Sequence, residues 1–498
     1  MKTTGSVAAQ NASHSAKTSI GDHPVMEEHV RQSDIENKSI KLKKLLEIGE
    51  YMFVAPWNKL DGQGRPASTG NGVPNKRDIS NDKGFQRVSG PDATSCADCH
   101  NQPFIGGAGG FVANVFVLAQ LRDPVTDSVS AEFSNERNTL GMNGSGAIEM
   151  LAREMTADLQ NIRQAALNEA RNTGKQIVRR LDTKGVNFGQ ITANPDNSVN
   201  YLEIEGIDED LIIKPFHQKG VVNSLRVFTV NAFNHHHGLQ AVERFSPGQR
   251  DFHGNIIATE DYDEDGVANE LTVGDITAAT LFQAAMNMPG RVLADDPARR
   301  AAAARGEARF AEIGCTDCHK PALVLNSPVY TEPNPYNPIG NLRLQDVSVV
   351  CSIDLTRDID KPRLERAESG SAIVRAFTDL KRHVICDDQD PFYCNEKVVQ
   401  AYVPTNQFLT RKLWDVGNSA PYGHRGDLTT ITESIVHHAG EARPHRERFV
   451  ALPKEQQAEI VEFLKQLQVL PNGSPREVSE SQLQQMLRKA RKVKGSGD

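Results

Sequence analysis

Two pentapeptides constrain this chain more than any other feature: Cys96-Ala97-Asp98-Cys99-His100 and Cys315-Thr316-Asp317-Cys318-His319. C-x-x-C-H is the pattern of c-type haem attachment. Two thiols at that spacing add across the vinyl groups of one porphyrin, and the adjacent imidazole folds beneath the ring to the iron. A single copy could be half a zinc site. Here there are two copies, both reading Cys-x-Asp-Cys-His, and the remaining Cys351, Cys386 and Cys394 form no further C-x-x-C. The chemistry they indicate is two covalently bound haems c, with His100 and His319 as iron ligands.

A chain of 498 residues accommodates two to three domains, and two haem domains with insertions is the natural division. With 38% apolar and only 6% aromatic residues, part of each core is expected to be porphyrin. A formal net charge of −8 argues against nucleic acid as a partner. No run approaches the roughly 18 to 20 apolar residues of a transmembrane segment. Met1 to Ser6 lacks the apolar stretch of a secretory signal, yet haem c attachment is completed on the oxidising side of the bacterial inner membrane. A periplasmic or secreted location is therefore expected, with a leader removed or replaced. In such a compartment one disulfide and one leftover thiol follow from three spare cysteines. Cys386 and Cys394, flanking a short Asp/Pro-rich loop, are the first choice, and pairing with Cys351 stays open.

Along the chain, residues 1–38 are polar without periodicity and read as a disordered or loosely attached arm. Helical spacing predicts helices over 40–54, 146–171, 276–288, 296–313 and 454–470. Short strands and turns are expected over 176–228. The Gly106–Gly110 run lets backbone approach another group closely. These assignments give an N-terminal haem domain with insertions (39–290), a C-terminal haem domain (291–472) and a polar, basic tail (473–498). The expected fold class is mainly α: two cytochrome c-like haem domains with irregular and short β insertions.

The segment from Leu413-Trp414 through Ala420-Pro421-Tyr422-Gly423-His424-Arg425-Gly426, continued by Thr430 to Val436 and His437-His438-Ala439-Gly440-Glu441-Ala442, resembles the C-terminal haem domain of the bacterial dihaem cytochrome c peroxidase superfamily. Its Ala-Gly-Glu-Ala ending, together with Thr94-Ser95 before Cys96, is most similar to the putative dihaem oxidoreductases, also called thiol oxidoreductase-like. The rubber oxygenases share this frame, and the long separation of the two pentapeptides leans toward these larger branches. The resemblance implies an electron-transfer haem in the C-terminal half and a reactive haem in the N-terminal half. It implies peroxide or dioxygen as the reactant, and an electron-donor protein or small redox carrier as the partner.

The same resemblance places His438 as the distal ligand of the His319 haem, with His437 and His424 as rivals. Adjacent helical residues point about 100° apart, so His437 and His438 cannot both face one iron. It places Glu149 near the His100 haem, where a carboxylate over an open iron could shuttle a proton between peroxide oxygens. The alternative for Glu149 is a helix-start carboxylate satisfying backbone N–H groups. Met142, Met150 or Met155 could instead cap that iron. One departure stands out: the family's tryptophan between the haems has no counterpart in place, since the chain holds only Trp57 and Trp414. Phe133, other aromatics or direct proximity of the haem edges would then carry the coupling.

Asp261, Asp263 and Asp265, followed by Gly266, have the D-x-D-x-D-G start of a calcium loop. Thr272 stands at position 12 instead of Glu, so Glu270 or Asp275 would have to close the shell. A solvated acidic turn is the other reading. His235-His236-His237 reads as a loop with one buried and two exposed imidazoles rather than one metal site. His383 and Arg382 are candidates for haem propionate contacts. The function expected from these residues is a periplasmic dihaem oxidoreductase with peroxidase-like chemistry; the alternatives are an oxygenase acting on an apolar organic substrate such as polyisoprene and a pure electron carrier with both irons closed.

Overall fold

The computed structural model of the protein describes residues 23–64, 93–110, 112–117, 134–245 and 266–494. The periodic stretches form helices close to their expected bounds: Leu42–Val54, Ser145–Thr173, Val273–Ala285, Pro297–Glu312 and Lys454–Gln466. Local chemistry sets several of the ends. Asp296 caps the Pro297 helix, which has proline in its first turn. Thr272 and Asp275 form a reciprocal capping box on the Val273 helix.

The Ser145–Thr173 helix is the central strut. Ala147, Leu151, Met155 and Leu159 are fully or almost fully buried along it. A helix buried on so many sides needs a layer on each. Val273–Ala285 and the hairpin of Ile177–Thr183 with Val186–Ala193 cover part of it. Leu323, Leu325, Tyr330, Ile353, Leu355, Ala372 and Val374, from the second half of the sequence, pack into the same core. The largest core thus crosses the expected boundary at residue 290. A second cluster forms around Phe310, Phe377 and Phe463, whose rings meet edge-on at 5.6 to 6.4 Å, with Ile431, Phe449, Ile460 and Leu464 around them.

Strands are short, and no sheet among the described residues exceeds three of them. Helix accounts for 38% and strand for 16%, so the fold is mixed α/β rather than the mainly α class expected. The reason lies in the insertions: runs such as 323–332, 351–354 and 372–374 are too short to form helices that could bury a face. They satisfy their backbone groups by pairing in two- and three-stranded sheets that lie over the helices.

The described residues nearest both ends are packed onto the rest of the fold. Residues 23–38 are docked: Val30 and Ile35 are buried, the Val30 amide donates to Asp275 at 2.8 Å, and the His29 ring meets the same carboxylate at 2.7 Å. In the tail, Glu477–Ser479 adds a parallel strand to Gly290–Leu293, and Glu480–Lys494 is helical. No helix among the described residues is long and apolar enough to cross a membrane.

Candidate haem-binding cavity

The first pentapeptide is a single helical turn, Cys96–Cys99, held by the residues just before it. Ser95 Oγ accepts from the Asp98 amide at 3.1 Å, while the Asp98 carboxylate accepts from the amides of Ser95 and Thr94 at 2.8 and 3.0 Å. Burial alone would raise the Asp98 carboxyl, but these hydrogen bonds outweigh it and hold the group below the usual range. The aspartate of Cys-x-Asp-Cys-His therefore clamps the turn that presents both thiols. The glycine run then folds back over it: Gly106 donates its amide to His100 O at 2.9 Å, and a Cβ on Gly109 would lie 2.0 Å from Cys99 O. No other residue fits there.

The second pentapeptide follows Gly314 as a 3-10 turn over Cys315–Asp317, directly after the Pro297–Glu312 helix. Its His319 ring rests against Phe310 at 6.2 Å, on the phenylalanine cluster. A third histidine, His438, comes just beyond the Ile431–Val436 helix, whose start is fixed by a Thr430–Glu433 capping box.

These three imidazoles share one arrangement. His100 Nδ1 meets Leu140 O at 2.9 Å, His319 Nδ1 meets Phe377 O at 3.0 Å, and His438 Nδ1 meets Ser434 O at 2.6 Å. A carbonyl only accepts, so Nδ1 carries the proton and the Nε2 lone pair is left for a metal. Burial pushes His100 and His319 down to about 4 and lowers His438 as well. All three are neutral near pH 7, the form that ligates.

Cys96, Cys99, His100, Cys315, Cys318, His319 and His438 all line one continuous cavity of about 420 Å³. The residues fit haem better than zinc. Burial pushes the Cys96 and Cys315 thiols up to about 12 and Cys99 to about 11, whereas zinc takes thiolates. Among the described residues, the one set of three ligating atoms within 4.8 Å of one another is Cys318, Asp379 and His383, so neither thiol pair converges with histidines as a tetrahedral site requires. The charges agree: Arg137, Arg411, Lys412 and Arg446 line the cavity against a single carboxylate, Glu441. Arg137 is paired with Glu396 and Arg446 with Glu447, so Arg411 and Lys412 are the lining cations best placed to meet porphyrin propionates.

The structure separates the remaining candidates. His437 is stacked on Phe392 at 4.1 Å and does not line the cavity. His424 does line it, but its ring is engaged by Asn395 at 2.7 Å and Phe408 at 4.5 Å. Met142 reaches the cavity, while Met150 and Met155 belong to the large core. Glu149 is not brought to the cavity. Its fully buried carboxylate accepts from Arg153 at 2.5 Å, the Leu225 amide at 2.8 Å and Asn334 at 2.7 Å. Glu332, Glu243 and Arg226 extend this network.

His383 lines the cavity, clamped between Asp379 at 2.9 Å and Glu441 at 2.6 Å, while Arg382 pairs with Asp208 behind it. Cys386 and Cys394 form a disulfide and Cys351 is a free thiol. Asp261, Asp263, Asp265 and Phe133 lie outside the described residues. Of the two residues proposed to complete a calcium shell, Asp275 is occupied by its capping box, His29 and Val30, and Glu270 accepts from the Gln240 amide.

Sequence reasoning did not single out His217 or assign His236 to a haem. Phe233–His237 is a π-helical turn that sends both His236 and His237 to the cavity, and His236 lies close enough to His100 and His217 for its charge to depress both. π-turns recur at functional sites. Three consecutive histidines were the visible signal, but the face each takes depends on that one-residue offset.

No family model and no curated protein matches the chain. Among solved structures it is similar to a chain of hydrazine synthase from Kuenenia stuttgartiensis, described as pressurised with xenon. That match has 13% identity, covers 89% of this chain and 95% of that one, and has a TM-score of 0.35. At that score the likeness carries no argument.

Proposed function

We propose that the protein is a dihaem c-type oxidoreductase, with peroxidase-like chemistry at the His100 haem and electron supply through the His319 haem. The observation that carries this reading is that both pentapeptides and His438 line one cavity. Two haems held there would lie close enough to exchange electrons. Glu149 then serves the framework, since its carboxylate is enclosed by its own network.

Bound haem supplies the redox chemistry. The chain's own residues supply the rest. His319 and His438 present Nε2 from two different elements, and together they would close that site to small molecules and leave it to electron transfer. On the His100 side, Leu140 O orients the imidazole. His217, pushed down to about 3 by burial, stays neutral and offers a hydrogen bond rather than taking a proton. His236 is placed to accept a proton from a bound reactant. Electrons would come from a periplasmic donor protein or small carrier, with peroxide or dioxygen as the oxidant. An oxygenase using the same site on an apolar substrate differs in the reactant rather than in the ligands.

A second reading rests on His236. Like His438, it lines the cavity, and its charge acts on His100 as that of His438 acts on His319. If His236 ligates, both irons are closed and the protein is an electron carrier. The EPR and visible spectra of the ferric holoprotein decide between the two. One high-spin haem that responds to peroxide supports the oxidoreductase. Two low-spin haems, with one turning high-spin in His236→Ala, establish the carrier.

A further inference from the structure

The short stretch Thr410–Leu413 crosses the cavity wall, pinned at both ends by hydrogen bonds from the Thr410 amide to Lys381 O at 3.0 Å and from the Leu413 amide to Ala376 O at 2.9 Å. It carries two adjacent cations, Arg411 and Lys412, into the cavity. Asp415 is the one carboxylate beside them, 3.7 Å from the Arg411 guanidinium and too far for a hydrogen bond. Among the described residues, no hydrogen-bond acceptor meets the Lys412 ammonium. Its neighbour is the face of Trp414, 5.8 Å to the ring centre. The indole N–H of Trp414, buried at 5% exposure, also lacks an acceptor.

A buried donor without an acceptor is costly, and the Trp414 N–H is one; Arg411 and Lys412 beside it are half-buried and line the cavity. Burial pushes Lys412 down to about 8, with the Arg411 charge adding to it, and burial lowers Arg411; Asp415 offsets part of both. An anion with more than one acceptor oxygen would meet both cations at once. Geometry puts the pair in the His100 half of the cavity: Asp415, the carboxylate beside Arg411, packs against Gly141, where a Cβ would lie 2.3 Å from its Oδ2, and the adjacent Leu140 carbonyl holds the His100 ring.

We propose that Arg411 and Lys412 form the anion seat of the His100 half of the cavity, taking propionate carboxylate of the haem held there, and that the Lys412 ammonium raises that haem's reduction potential. This rests on the two-haem reading. A cation near an iron favours the electron-rich ferrous state, so removing it lowers the potential.

The test is a spectroelectrochemical titration of the holoprotein, with covalent haem counted beforehand by pyridine haemochrome. Lys412→Met is expected to keep two haems and to shift the reduction equilibrium of one of them toward the ferric state about tenfold, equivalent to about 59 mV for one electron. Lys412→Arg restores the wild-type value, and the second haem shifts less. Two haems with both midpoints unchanged in Lys412→Met overturn the anion seat and leave the two-haem reading intact. Fewer than two covalent haems in the wild-type protein overturn both. Should Lys412→Met fail to fold, Lys412→Gln is titrated in its place on the same terms.

Discussion

Replacing Glu149 by glutamine separates a framework role from a catalytic one. The carboxylate is fully buried and accepts hydrogen bonds from Arg153, Leu225 and Asn334. Arg153 is itself buried, and its next carboxylate, Glu332, is 4.0 Å away. Removing one partner of a buried ion pair costs roughly 3 to 5 kcal/mol. Glutamine keeps an oxygen for Asn334 and Arg153 but turns its amide group toward the Leu225 N–H, so that hydrogen bond is lost. A partial offset comes from the surplus of acid in the network. Glu149, Glu243 and Glu332 face only Arg153 and Arg226, and burial, with help from the Glu149 charge, raises Glu332. The expected net loss is about 3 kcal/mol, or about two orders of magnitude in the folded-to-unfolded ratio. Urea unfolding followed by circular dichroism measures it, and peroxide turnover is assayed on the folded fraction in parallel. The framework role predicts lower stability with turnover per folded molecule within a few-fold of wild type. Wild-type stability with turnover down a hundredfold or more, the size of a lost general acid–base, would refute the reasoning.

Four further outcomes follow from the same contacts. His438→Ala should turn the His319 haem from low-spin to high-spin in the visible spectrum, whereas His437→Ala should leave it low-spin. Gly144→Ala combines a positive φ of 74° with a Cβ only 2.5 Å from the Trp414 ring, and should destabilise by about 2 to 3 kcal/mol with a shift in Trp414 fluorescence. Replacing Cys386 and Cys394 together by serine should cost roughly 2 to 3 kcal/mol for so short a loop, measurable as a lower Tm. The pKa of His29 is raised above 6.5, chiefly by its hydrogen bond to Asp275. Its contribution is therefore fully present below pH 6.5 and is lost as pH rises through the raised value. The Tm difference between wild type and His29→Ala should be larger at pH 6 than at pH 9, and equal differences would contradict that anchor.

The sequence by itself determined what is local and covalent. Two C-x-x-C-H pentapeptides name their thiols and imidazoles because haem attachment is read from five consecutive residues. The helices at 42–54 and 145–173 were legible from residue spacing, and that at 297–312 from its alanine-rich composition with Phe310 on one side. The Cys386–Cys394 bond was favoured because only eight positions separate the two.

Tertiary structure decided everything that depends on which distant groups meet. The pentapeptides lie more than 200 positions apart in the sequence, and only packing brings them to one cavity. Glu149 belongs to a helix whose start suggests an active-site acid. Whether its carboxylate faces a haem or Arg153 is set by residues near 225 and 334 that no local pattern reveals. His236 reaches the cavity through a π-turn, and a one-residue offset in a helix leaves no periodic signature. Lys412 has no signature in the sequence, and only folding sets it in the cavity wall beside the Trp414 ring. Ligand identity is written along the chain, whereas the field around each ligand is a sum over space, and that sum exists only once the chain has folded.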